Sequence, residues 1–163
     1  MMRLVTTLKS ERGSAAVEMA LVLPMTMALI FGSMEAGNYM LTQHKVIKGV
    51  RDGARYAARL PFSSYDCETE TVASSAEEQI IAVTRSGQPD GSGMVRVRDW
   101  DADDVSVSLT CANTSTGIYR EVGAAPRVLV ATRVRYPSVL GSLGFDTDGA
   151  VVRAQAHAAV MGL

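Results

Sequence analysis

Cysteine, histidine and aromatic side chains are scarce in this chain, and each scarcity removes a class of function. Two cysteines, Cys67 and Cys111, allow one disulfide at most and no zinc site built from a second pair. The two histidines, His44 and His157, have no cysteine or carboxylate pattern at ligand spacing, so surface or helix positions account for them. Aromatic residues make up 6% of the chain, thin for a large core, which leaves membrane embedding or subunit packing to supply part of the stability. A basic surplus is also missing: 16 basic residues face 17 acidic ones, which argues against a nucleic-acid binder. Ser10, Ser14 and the other serines lack a nucleophile-elbow context. No cofactor is expected, and no enzyme.

Charge is absent altogether from Met19 to Met34, a run of sixteen residues. Extended through Ala15 and Tyr39, the apolar stretch reaches the ~20 residues that cross a bilayer. It is longer than the apolar part of a secretory signal, and no Ala-x-Ala site closes it. Pro24 kinks a membrane helix without ending it. Before the run lie Arg3, Lys9 and Arg12, which hold the N-terminal side in the cytoplasm. Glu18 is the anomaly, because a carboxylate at the edge of lipid costs about 2–3 kcal/mol unless it finds a partner. Glu35 falls near the outer boundary.

The segment Gly13-Ser-Ala-Ala-Val-Glu18 resembles the processing and assembly signature of type IV prepilins. Together with Leu21-Val-Leu-Pro24, Gly32-Ser-Met-Glu35-Ala-Gly37 and Gly49-Val-Arg-Asp-Gly-Ala-Arg-Tyr-Ala-Ala58, it is similar to the TadE-like proteins of tight-adherence (Flp) pilus systems. TadF and short TadG relatives share this end. The resemblance covers about the first third of the chain. It implies that a prepilin peptidase cuts between Gly13 and Ser14, leaving Glu18 as the fifth residue of a mature chain with a net charge near −3. It also implies that the new amine of Ser14 neutralises Glu18 of a neighbouring subunit, turning two costly charges into one pair. Residues 1–13 would then be a basic leader, 14–36 the membrane half of a long helix, and 37–163 the rest of that helix with a periplasmic head.

Beyond Glu35 the helical period continues. Val46, Val50, Ala54, Ala57 and Ala58 recur at three- and four-residue intervals, with Lys45, Lys48, Arg51, Asp52, Arg55 and Arg59 on the other face, and Pro61 ends the pattern. One helix from Ser14 to Leu60 is therefore expected. Gly32, Gly37, Gly49 and Gly53 each weaken it by about 1 kcal/mol relative to alanine in an exposed interior, or else permit close helix approach. Val72, Ala76, Ile80 and Val83 predict a second amphipathic helix over 69–85, followed by a loop, Ser86-Gly-Gln-Pro-Asp-Gly-Ser-Gly93. Alternation then predicts strands at 95–98, 105–111, 128–136 and 150–161. The fold class expected is α+β: a long N-terminal helix, a second helix and an antiparallel sheet of about four strands, as in a pilin head.

Cys67 and Cys111 would lie outside the inner membrane, where a bridge persists. A disulfide is favoured over two unpaired thiols. Asp99, Asp101, Asp103 and Asp104 look like the start of a calcium loop, but an EF-hand needs glycine at Asp104 and glutamate at Thr110, so a solvated acidic turn is the better account. Asn113-Thr-Ser115 matches the glycosylation triplet, a short pattern that arises by chance. Arg96, Arg98, Arg133 and Arg135 are expected on an outer sheet face.

The function expected is a minor pilin or pseudopilin of a tight-adherence (Tad/Flp, type IVc) pilus system, acting in assembly and surface adherence. Its partners would be the prepilin peptidase, other Tad pilin and pseudopilin subunits and inner-membrane lipid, with no nucleic acid. It would cross the bacterial inner membrane once. The alternatives are a single-span anchored periplasmic binding module outside any pilus, and an exported enzyme. The enzyme reading requires a pocket of converging polar groups in the head, and none is expected.

Overall fold

A computed structural model describes residues 11–114, 116–141, 144–145 and 149–162, with side chains from residue 15 onward. The chain forms two compact units, Met1–Gly37 and Asn38–Leu163. Helix α1 (Glu11–Arg59, 49 residues) supplies most of the first and enters the second. It passes through Pro24 without interruption and stops just ahead of Pro61, as the sequence period indicates.

In the second unit, α1 buries the stripe that its spacing marks: Val46, Val50 and Ala57 have no exposed surface, and Ala54 and Ala58 almost none. Full burial of a valine contributes about 1.5–3 kcal/mol. Lys45, Lys48, Arg51, Arg55 and Arg59 face outward. Helix α2 (Ser74–Ser86) packs against this stripe through Ala76, Ile80, Val83 and Thr84. Gly49 and Gly53 show why the approach is so tight. A β-carbon on Gly49 would strike the Thr84 carbonyl oxygen and come within 2.8 Å of the Trp100 ring, and one on Gly53 would strike the Thr84 hydroxyl. Close packing, rather than helix weakening, is the role of these two glycines.

Among the described residues five strands form two antiparallel sheets. Strands β1 (Tyr65–Asp66) and β2 (Thr71–Val72) make a short ladder, while β3 (Val105–Asn113), β4 (Ala124–Arg135) and β5 (Val151–Ala159) pair in the order β3-β4-β5. The inner face of β4 is buried throughout: Val128, Val130, Thr132 and Val134, with Tyr136 just beyond. Val105 and Leu109 of β3 and Val152 of β5 complete the layer that covers the helices. The α+β class therefore stands, with two helices and strands grouped as three and two.

Two local expectations are corrected. Residues 95–98 form no strand: Val95 is 40% exposed while Val97 is buried, so the two valines share no face. The segment is held instead by the Arg96 amide donating to the Arg85 carbonyl at 3.0 Å, and the Arg96 side chain turns to Asp52 at 2.8 Å rather than joining a sheet face. Helix α2 starts at Ser74, not 69, because Thr71 and Val72 pair with Asp66 and Tyr65. Val72 shares the helical spacing only by coincidence.

Candidate functional site

The Gly13–Ser14 bond lies within α1, near the start of its described residues. Ser14 and Glu18 are four residues apart in α1. Glu18 is exposed. Leader residues Arg3 and Lys9 lie outside the described residues, as does Ser115 of the glycosylation triplet.

After Glu18 the helix is apolar on every side. Val17, Met19, Leu21, Val22, Leu23, Met25, Leu29 and Ile30 are each more than half exposed within the chain. The segment from Ala15 onward is long and apolar enough to cross a membrane, with a mean hydropathy of 1.9 over its most apolar 18 residues and none of that window buried. A helix hydrophobic all round needs lipid or other subunits as cover. Its few polar groups are served internally: the Thr26 hydroxyl donates to the Val22 carbonyl and the Ser33 hydroxyl to the Ile30 carbonyl, both at 2.9 Å. Backbone acceptors one turn away make serine and threonine tolerable in an apolar setting.

In the head, Cys67 and Cys111 are bridged, with α-carbons 5.7 Å apart. The bridge ties the β1–β2 turn to β3. Asp66 organises that turn by accepting from the Thr69 hydroxyl at 2.8 Å and the Glu68 amide at 2.8 Å. These bonds, the Thr69 hydroxyl first, hold its carboxyl below the usual aspartate range. The acidic stretch that resembles a calcium loop closes on itself: Asp101 and Asp104 form a reciprocal capping box around a short 3₁₀ turn. Among the described residues no group of three or more His, Cys, Asp or Glu is placed to hold a metal ion. His44 and His157 are exposed.

Three features escape the sequence reading. Trp100, the single tryptophan, is 1% exposed, and its indole N–H donates to the Thr132 hydroxyl at 3.1 Å, which in turn donates to the Asp104 carbonyl at 2.8 Å. Its uniqueness was the available signal. The Asp52–Arg96 ion pair joins α1 to the segment after the glycine-rich loop. No local pattern announces a pair so distant in sequence. The third is a cavity with converging polar groups, where none was expected. Its lining includes Asn38, Thr42, Lys45, Arg96, Arg98 and Ser138. The misplaced Arg96 explains the miss, since a strand over 95–98 would have aimed it elsewhere. Among the described residues the lining is cationic and hydroxylic, with no carboxylate or histidine.

Residues 13–55 match the family model TadE, described as TadE-like protein. No curated protein and no solved structure matches the chain. The match begins at Gly13 and continues through the apolar segment into the second unit. A TadE-like segment associates the chain with Tad pilus systems in general.

Proposed function

We propose that this protein is a minor pilin or pseudopilin of a tight-adherence (Tad/Flp, type IVc) pilus, acting in pilus assembly and surface adherence rather than as an enzyme. The observation that carries the reading is the coincidence of three things on one helix: the TadE-like match from residue 13, the Gly13–Glu18 spacing, and an apolar surface without internal cover. In this reading a prepilin peptidase cuts between Gly13 and Ser14. The subunit waits in the inner membrane with its head in the periplasm. Extraction into a filament exchanges lipid for the apolar helices of other Tad pilin and pseudopilin subunits.

Glu18 directs that exchange. Within lipid its carboxylate is costly, and a neighbour's Ser14 amine compensates it only in the correct register. Mass spectrometry of the protein recovered from cells tests the processing step, and a chain beginning at Ser14 is expected. Intact Met1 returns the reading to an anchored binding module. The pairing step is tested separately with Glu18→Ala, which is expected to be cleaved normally yet to abolish or sharply reduce surface pili. Normal piliation in that variant refutes the charge pairing.

A further inference from the structure

Three segments of the head converge on a cavity of about 280 Å³. Asn38, Thr42 and Lys45 come from successive turns of α1, Arg96 and Arg98 from the stretch after the glycine-rich loop, and Ser138 from the stretch after β4. Its cations are unequal. Arg96 is fixed by Asp52, which accepts from Nη2 at 2.8 Å, and its Nη1 has no accessible surface, so this side chain shapes the wall more than it offers a donor to a guest. Lys45 and Arg98 are exposed, and neither has a carboxylate partner among the described residues.

The remaining lining also favours an acceptor-rich guest. The Ser138 oxygen accepts from the Gly141 amide at 2.9 Å, which leaves the hydroxyl proton to be given away. Asn38 spends its amide group on the Tyr136 hydroxyl at 2.9 Å and the Pro137 carbonyl at 3.1 Å, so it anchors the wall. Lys45, Arg98 and Ser138 bring donors to the cavity from three separate segments. A phosphate group offers several acceptor oxygens to such donors. The volume holds a phosphate group with several waters.

We propose that this cavity binds a phosphate group, offered by an anionic phospholipid headgroup or by a free phosphate ion. The inference does not depend on pilus assembly. The lipid source has support from chain position: Asn38, Thr42 and Lys45 occupy the first turns of α1 after its apolar stretch, where basic side chains meet headgroups.

The test uses full-length protein in phosphatidylcholine nanodiscs, titrated with inorganic phosphate against chloride of equal ionic strength. Phosphate is expected to shift the amide resonances of Val97, Arg98 and Ser138 along a saturating curve, and chloride is not. The double variant Lys45→Gln/Arg98→Gln changes two exposed positions, so its melting temperature should hold while phosphate binding weakens by about tenfold or more. Phosphatidylglycerol nanodiscs identify the source. With a headgroup ligand these resonances are already shifted before phosphate is added. With a free ion they respond as in phosphatidylcholine, and either result keeps the site. A non-saturating response equal to that of chloride, or a double variant that titrates like the parent, overturns the proposal.

Discussion

At Gly53 a β-carbon would land on the Thr84 hydroxyl, a group already committed to the Ile80 carbonyl at 2.8 Å. Gly53→Ala therefore gains about 1 kcal/mol of helix propensity and loses about 1–3 kcal/mol to overpacking. A net loss of stability is expected by denaturant unfolding. Gly32→Ala is the control, because nothing stands within 4 Å of that position in the chain, and the head should unfold as before. Tyr65 yields a second residue-level prediction. Burial, with Tyr56 adding to it, pushes its phenol up to about 12, and its hydroxyl donates to the Ala57 carbonyl at 2.5 Å. An unfolded tyrosine titrates near 10. The folded state thus holds this proton more tightly, and the contribution to stability is complete below about pH 10 and lost as pH rises towards 12. Tyr65→Phe should flatten that part of the stability–pH curve. An unchanged slope would show that other groups cause it.

Among the elements, the disulfide and the sheet invite direct measurement. The Cys67–Cys111 bridge spans 44 residues, and closing a loop of that size removes about 4 kcal/mol of unfolded-state entropy. Cys67→Ala/Cys111→Ala should lower unfolding free energy by up to that amount and loosen the β1–β2 ladder first. On the outer sheet face, Arg133 of β4 lies directly opposite Arg153 of β5. Like charges in that relation repel, so Arg153→Glu is expected to stabilise by about 0.2–1 kcal/mol in low salt and less in high salt. What could be read beforehand depended on length. Val46 through Ala58 repeat over several turns and β4 alternates over five positions, so both were legible. Residues 95–98 alternate over only four, too few to separate a strand from an irregular segment pinned by Asp52. Residues 71–72 needed knowledge of partners at 65–66, which no local pattern contains.

At the level of the whole molecule, the two units differ in what completes them. Among the described residues every buried hydrophobic side chain lies between Val46 and Val160, so the second unit carries its own core. A chain of residues 38–163 is expected to be a soluble monomer that unfolds cooperatively, as sedimentation and calorimetry would show. A molten or aggregated product would mean that the head borrows stability from the anchor. The apolar unit was legible as a candidate span from composition alone, and the TadE-like likeness from the residues that begin at Gly13. The cation-lined cavity was not, because its walls come from segments up to about a hundred positions apart in the sequence and only tertiary folding brings them together.

The crosslink between the β1–β2 turn and β3 also sets a clock. A thiol pair closes only where an oxidant reaches it, so a copy still in a reducing compartment has a head that lacks its last fastening. In the topology proposed above, delivery across the bilayer is the step that finishes the subunit.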